Sequence, residues 1–225
     1  MNTTVAFLAQ TLAIFMGFFT RVVFTRTLSE GYVGINGLFT DILNILSLSE
    51  LGVGTAITYA LYAPIARRDI KKQQILMRMF RNFYRITAGF VLLAGLCLIP
   101  FLDILMKDRP DVNHLIIIYL LYLLNSVVSY LLIYKKTLVD AHQMNYITVM
   151  YHNGFLVLQD ILQIMVLFLT RNFILFLVIA VICTIIGNIC MSRRADRLFP
   201  YLKEPCKEQL PQEERHDILR NVKAM

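Results

Sequence analysis

Charged side chains stand inside, or at the margin of, the long apolar runs of this sequence. They are two arginines, Arg21 and Arg26, and three acids, Asp41, Glu50 and Asp160. A charge that faced lipid would cost at least about 2.5–3.5 kcal/mol, so each of these side chains must face something polar. An arginine in such a place can meet a carboxylate or line a hydrated cavity, and a carboxylate can form an ion pair or carry a proton.

The angles between these charges around a helix limit which of them can face the same wall of a cavity. Asp41 and Glu50 are nine residues apart, about 180° around a helix, so only one of them can face a given wall. Glu50 can pair with an arginine, line a cavity or couple a proton. Arg26 is offset from Arg21 by about 140°, and the alternative to a cavity contact for Arg26 is an interfacial side chain that snorkels.

Uncharged polar side chains form two stripes at helical spacing. One stripe follows i, i+3, i+7 and the other i, i+7, i+11, so each lies on one side of its helix. Interhelical hydrogen bonds, worth about 0.6 kcal/mol each and at most about 2, explain such stripes. Asp160 lies one residue off the second stripe and is the best placed carboxylate for carrying a coupling ion. The stripes are Tyr122, Asn125 and Ser129, and His152, Gln159 and Gln163.

Apolar helices must position these residues. The chain is 57% hydrophobic and 16% charged, which fits a membrane protein and no soluble class. About 20 residues in a helix cross a hydrocarbon core of about 30 Å. We therefore predict an all-α, polytopic fold in which residues 1–200 form a lobe of six transmembrane helices. The expected helices cover 5–24, 32–63, 83–105, 114–134, 150–170 and 172–191, the second being polar enough to line a cavity.

Lysine and arginine concentrate in three segments between or after those helices. Segments 67–85 and 135–145 hold seven and two of them, and the part from residue 193 onward holds eight. Because cytoplasmic loops retain basic residues, both termini are predicted to lie in the cytoplasm, with the loop 103–113 outside. The net charge of +7 then reflects topology and contact with anionic membrane lipids, and does not indicate nucleic-acid binding.

The sequence gives little support for catalysis. It has no glycine-rich phosphate loop, no HExxH and no nucleophile with a recognisable base, so we expect no enzyme and no cofactor. The four cysteines include no CxxC pair, so neither a disulfide framework nor a metal site is expected. No cleaved signal peptide is expected either, because nothing basic precedes the first apolar run.

The end of the sequence, residues 201–225, predicts a continuation of the fold. It starts as a proline-punctuated linker and becomes an amphipathic helix with acids first and bases last, which suits the helix dipole. Ile218, Leu219 and Val222 share one face of that helix. Such a face needs another element to pack against, which predicts a second lobe.

Residues 24–64, with Gly-Ile-Asn-Gly-Leu-Phe and Ser-Glu-Leu-Gly as the most specific segments, resemble the start of Wzx-like oligosaccharide flippases. The segments Tyr84-Arg85, Tyr134-Lys-Lys-Thr-Leu and Leu198-Phe-Pro-Tyr-Leu are also similar to that family. These flippases share a superfamily with the lipid II flippase MurJ and the MATE drug exporters. The resemblance covers nearly the whole chain, although the later helices match mostly in hydropathy. The chain departs from the pattern in having no second lobe and no basic stretch before the first helix.

The resemblance implies one lobe of a two-lobe transporter whose central cavity opens alternately to each side. The implied substrate is an oligosaccharide joined through pyrophosphate to a polyprenyl lipid, which the protein moves across the cytoplasmic membrane. First-helix arginines line the cavity in this family, so Arg21 would offer its guanidinium fork to the pyrophosphate. From their helical positions, Asp160 is predicted to couple an ion, and sugar contact is the alternative to interhelical hydrogen bonds for Asn125, Gln159 and Gln163. Arg26 and Glu50 are further predicted substrate contacts.

Two other functions remain open at this stage. One is a MATE-like antiporter for cations, although a cavity lined by Arg21 would repel such ligands. The other is a non-transporting membrane scaffold, or a remnant of a longer gene. A transporter of this kind needs two walls, so a lone lobe would require a second lobe or a second copy in a homodimer.

Overall fold

The chain is helical throughout the part that the structure describes. The computed structural model describes residues 2–47, 53–102 and 112–203, which confirms the predicted all-α class over these ranges. Two 3₁₀ turns, Ile99–Phe101 and Pro200–Lys203, follow the fourth and eighth α-helices. The α-helices are α1 (Asn2–Thr27), α2 (Glu30–Ser47), α3 (Val53–Ala66), α4 (Ile70–Leu98), α5 (Leu115–Leu131), α6 (Ile133–Ala141), α7 (Asn145–Thr170) and α8 (Phe173–Leu198).

Four helical segments are long and apolar enough to cross a membrane. They are Phe7–Thr27, Ile70–Phe101, Asn145–Thr170 and Phe173–Leu198. A fifth crossing results if α5 and α6, which are bent by 42° at their junction, count as one broken span. Within the described ranges, neither α2 nor α3 passes this test alone. Within the described residues, four or five helices could therefore cross a membrane, and the sequence predicts six.

The predicted helix over 32–63 is the source of that difference. Within the described residues it corresponds to two helices, α2 and α3, of 18 and 14 residues. α2 buries Ile35 and Phe39 on one side, whereas Asp41 and Asn44 are exposed on the other. This polar side lowers the mean hydropathy of α2, and 14 residues make α3 too short to cross about 30 Å.

Three sequence predictions fall outside the described residues. They are the position of Glu50, most of the outer loop 103–113, and the amphipathic helix after residue 203.

Two segments that were expected as basic loops contain helix. α4 begins at Ile70 rather than at residue 83, because the Asp69 carboxylate accepts a hydrogen bond from the Lys72 backbone N–H at 3.0 Å and caps the helix. Its first half is amphipathic, with Gln73 and Leu76 on the buried side, so a hydropathy average does not detect it. Likewise, much of segment 135–145 belongs to α6.

The turn between α7 and α8 lies close to the place that the sequence predicts. Arg171 ends α7 in the left-handed region with φ 50°. The Asn172 side-chain oxygen then accepts hydrogen bonds from the backbone N–H groups of Ile174 and Leu175, at 2.9 and 3.3 Å, and caps α8.

The helices pack in a chain of neighbours. α1 lies mainly against α7, α7 against α8, α8 against α5, and α5 against α4. The short α6 contacts α3, α4, α7 and α8. We call the side of the bundle where α5 and α8 end and α7 begins the α6 end. At the opposite end, Phe24 of α1 packs against Phe173 and Phe176 of α8, with ring centroids 5.5 and 5.3 Å apart.

The 3₁₀ turn after α8 folds back onto the start of α4 at the α6 end. The Tyr201 hydroxyl donates to the Gln73 side-chain oxygen at 2.5 Å, and the Gln74 amide donates to the Tyr201 carbonyl at 2.6 Å. Burial raises the pKa of the Tyr201 phenol to about 12, so this hydroxyl remains a hydrogen-bond donor at physiological pH.

Close packing of α4 on α5 at Gly95 gives the first testable prediction. A Cβ added at Gly95 would lie 2.3 Å from Cδ1 of the buried Leu123, and the Tyr119 hydroxyl donates to the Gly95 carbonyl at 2.8 Å. We expect Gly95→Ala to lower the free energy of unfolding by about 1–3 kcal/mol, measured as a lower melting temperature in detergent.

Gly89 on the same helix provides the control, because an added Cβ there meets no described atom within 4 Å. Gly89→Ala should leave the melting temperature unchanged or raise it, since alanine favours helix. Adding Leu123→Ala should relieve the clash in Gly95→Ala. Equal melting temperatures for the two single variants would contradict the proposed close contact.

Candidate functional site

A cavity of about 270 Å³ lies between α5, α6, α7 and α8, near the α6 end. Its polar lining consists of side-chain amides, hydroxyls, one lysine and one histidine, and the described lining residues include no aspartate or glutamate. The aromatic rings of Tyr151 and Phe155 contribute to its wall. The polar lining residues are Asn125, Ser129, Lys136, Thr148, Tyr151, His152, Gln159, Thr184 and Asn188.

One acceptor in this lining lacks a partner. The Asn125 side-chain oxygen is buried and has no hydrogen-bond partner among the described residues. By contrast, the Asn188 amide donates to the Val128 carbonyl at 3.1 Å and thereby ties α8 to α5. An unpaired buried acceptor costs about 1–3 kcal/mol, so the Asn125 position favours a ligand or water that can donate a hydrogen bond.

The structure brings parts of the two predicted polar stripes together. Asn125 and Ser129 from α5 face the same cavity as His152 and Gln159 from α7. The spacing predicts that each pair lies on one side of its helix, but not which sides of α5 and α7 face each other. In the structure, these two sides line the same cavity.

The remaining members of the stripes make hydrogen bonds between or within helices. The Tyr122 hydroxyl donates to the Asn36 side-chain oxygen of α2. Gln163 is buried and its amide donates to the Phe176 carbonyl of α8 at 3.0 Å. It also accepts from the Gln159 amide at 3.5 Å. Neither Tyr122 nor Gln163 belongs to the cavity lining, so Gln163 has a structural contact where a substrate contact was predicted.

The predicted arginines lie away from this cavity. Arg21 and Arg26 are both exposed on α1, and neither lines the cavity. The Arg21 guanidinium lies 5.5 Å from the centroid of the Phe24 ring, and its charge acts on Tyr122 of α5. Asp41 is exposed on α2. The structure therefore does not bring Arg21 to the Asn125 and Gln159 side chains with which it was grouped.

Asp160 faces α1 rather than the cavity. It is half-buried, it interacts with the Thr20 hydroxyl, and its Oδ2 lies 3.9 Å from the position of a Cβ at Gly17. The Thr20 hydroxyl also donates to the Met16 carbonyl at 3.0 Å. Ion coupling by Asp160 stays a prediction.

Sequence reasoning missed several residues at the α6 end of the site. Thr184 and Asn188 are four residues apart within an apolar run, and this spacing was the signal that could have found them. Lys135 forms an ion pair with Asp196 of α8 at 2.8 Å and donates to the Ser192 hydroxyl at 2.8 Å. No short sequence pattern joins Lys135 to an acid 61 residues later.

Comparisons with known proteins found no protein-family model, no curated protein and no solved structure that matches this chain. The class of protein therefore rests on the described residues themselves. A helical bundle with four or five helices able to cross a membrane indicates a multi-pass membrane protein. Its helices line a cavity that mixes polar and apolar side chains, with no acidic side chain among the described lining residues.

Proposed function

We propose that this protein is part of a flippase that moves lipid-linked oligosaccharide across the cytoplasmic membrane for surface polysaccharide synthesis, and that the cavity holds the sugar headgroup. The observation that carries this proposal is the cavity lining of neutral amides and hydroxyls, with the unpaired acceptor of Asn125 among them. Sequence resemblance to Wzx-like flippases agrees with it.

Sugar chemistry fits this lining. A hydroxyl group donates one hydrogen bond and accepts others, and the amides of Asn125, Gln159 and Asn188 offer both kinds of partner. The rings of Tyr151 and Phe155 offer apolar surface to the C–H groups of a sugar. A volume of about 270 Å³ is near the lower end of the range for ligand pockets, about 300–1,000 Å³, which suits one or two sugar units of a longer headgroup.

A cation antiporter fits the same cavity less well. A cationic ligand favours acidic partners, whereas the described lining contains Lys136 and no carboxylate. A scaffold without transport activity gives no reason for the buried, unpaired acceptor of Asn125, since such a group costs stability. The lining therefore favours the flippase over both alternatives.

The orientation that we propose places the α6 end in the cytoplasm, with both termini on that side. Lys135, Lys136, Arg193 and Arg194 all lie at this end, and basic residues favour the cytoplasmic face. The headgroup would then enter at the α6 end. Arg21 lies nearer the other end and would contact the pyrophosphate later in transport, with a second lobe or a second copy providing the facing wall.

A binding measurement tests the proposal. The purified protein, in nanodiscs of phosphatidylcholine, is titrated with polyprenyl pyrophosphate carrying an oligosaccharide and, separately, with polyprenyl pyrophosphate carrying no sugar. We expect the sugar-bearing lipid to bind at least about tenfold more tightly, a difference of about 1.4 kcal/mol, because the amides and hydroxyls of the lining contact the sugars. An Asn125→Leu variant should lose most of that difference.

Equal affinity for the two lipids would overturn the proposal. A cationic dye provides the comparison for the antiporter alternative, and dye binding that is tighter than binding of the sugar-bearing lipid would favour that alternative. Binding is the chosen measurement because it does not require that the chain transport alone.

A further inference from the structure

Two consecutive lysines of α6 have different surroundings. Lys135 is half-buried and neutralised, since its Nζ lies 2.8 Å from Asp196 Oδ2 and donates to the Ser192 hydroxyl. Lys136 instead lines the cavity. Among the residues that the structure describes, Lys136 makes no ion pair within 4.0 Å and no side-chain hydrogen bond.

Asp140, one helical turn further along α6, accepts a hydrogen bond from the Thr148 hydroxyl at 2.7 Å, and its charge interacts with that of Lys136. No ion pair within 4.0 Å joins the two side chains among the described residues. His152 of α7 is the other group near Lys136, because the lysine charge acts on its imidazole. Both Lys136 and His152 line the cavity, together with the hydroxyl-bearing Ser129.

We propose that Lys136 and His152 form a subsite for a phosphate ester at the α6 end of the cavity. A half-buried ammonium without an ion-pair partner favours an anion, and lysine binds phosphate as a point charge. The imidazole of His152 supplies a further donor. Phosphate oxygens can accept all of these bonds at once.

This inference rests on the proposed function for the form of the ligand. With the phosphate at Lys136, the sugars extend along the cavity toward Asn125 and Gln159, so the lining separates into a cationic end and a neutral end. The same chemistry would bind a phosphate on a membrane lipid or on a soluble sugar phosphate. The experiment therefore includes both sources.

The probes are polyprenyl pyrophosphate in phosphatidylcholine nanodiscs, soluble glucose 1-phosphate, and uncharged polyprenol. We expect Lys136→Gln to weaken binding of polyprenyl pyrophosphate at least about tenfold, with no change for polyprenol. Lys136→Arg should keep most of the affinity because it retains the positive charge. Weakening of glucose 1-phosphate alone would identify a soluble ligand and overturn the assignment to a lipid phosphate.

The neighbouring lysine provides a matched control. The double variant Lys135→Gln with Asp196→Asn removes a positive charge one residue away and removes its partner at the same time. We expect it to change binding less than about twofold. Similar losses in the double variant and in Lys136→Gln would show that disturbance of α6, and not the charge of Lys136, explains the lost binding, and no loss in Lys136→Gln would also overturn the subsite.

The Lys136→Met variant distinguishes loss of folded protein from loss of the ligand contact, because methionine keeps the aliphatic stem and removes the charge. A folded Lys136→Met protein with wild-type affinity for polyprenyl pyrophosphate would rule out the subsite. If Lys136 controls binding of polyprenyl pyrophosphate and added sugars do not tighten it, the subsite stands and the proposed function fails. If sugars tighten binding and Lys136→Gln does not weaken binding of polyprenyl pyrophosphate, the proposed function stands and the subsite fails.

Discussion

Replacing Thr184 with phenylalanine should abolish binding of the sugar-bearing lipid. Thr184 lines the cavity from α8, across from Gln159 of α7 and Asn125 of α5. A phenyl ring at this position would occupy space within a volume of about 270 Å³ that the headgroup needs. We expect affinity for polyprenyl pyrophosphate oligosaccharide to fall at least about 100-fold, measured in the same nanodisc titration.

Ile185 provides the matched control for this variant. It follows Thr184 on α8, its side chain is exposed, and it does not line the cavity. Ile185→Phe should bind like the wild-type protein. Thr184→Val, which keeps the volume and removes the hydroxyl, should lose only a few-fold in affinity, about 1 kcal/mol. Wild-type affinity in Thr184→Phe would contradict the location of the headgroup in this cavity.

The sequence predicts the helical class and the apolar spans, but not all of the helix boundaries. Long apolar runs identify α7 and α8, because helices that face lipid consist mostly of apolar residues and a hydropathy average finds them. α4 starts well before its apolar part, and its capping residue Asp69 is the only local sign of that start. A hydropathy average cannot find an amphipathic extension at the membrane surface.

The candidate site was predictable only in part, for a similar reason. Periodicity shows that Asn125 and Ser129 share a side of α5, and that His152 and Gln159 share a side of α7. It cannot show that these two sides face one cavity, or that α6 adds Lys136 to it. Helix neighbours are set by packing over long sequence separations, and this information is not carried by any single helix.

Asp160 lies outside the cavity although its neighbour in sequence, Gln159, lines it. It is one residue from Gln159, about 100° around α7, and this rotation places it against Thr20 of α1 instead of in the cavity. The contact of α1 with α7 also includes a hydrogen bond of 2.8 Å from the Asn153 amide to the Gln10 side-chain oxygen. Sugar binding and any proton binding would thus occur on different sides of the same helix.

Arg21 is the residue for which we expect the second large effect. It lies within the candidate span Phe7–Thr27, its side chain is exposed, and it makes no ion pair within the part of the chain that the structure describes. A charge facing lipid costs at least about 2.5–3.5 kcal/mol, so this exposed guanidinium needs an anionic or hydrated partner. The pyrophosphate of the proposed substrate is such a partner.

Arg21→Ala, introduced at the chromosomal locus, should reduce surface polysaccharide about 100-fold or more while the protein remains at wild-type abundance in the membrane. Arg21→Lys should recover only part of the loss, because an ammonium lacks the bidentate fork that matches phosphate oxygens. Arg26→Ala, at the exposed end of α1, is the control and should have a small effect.

Abundance is measured by immunoblot of membranes, which separates lost transport from lost folding. Normal polysaccharide in Arg21→Ala cells would show that the guanidinium has no part in transport. A parallel fall in abundance and polysaccharide would assign Arg21 to packing, through its contact with the Phe24 ring.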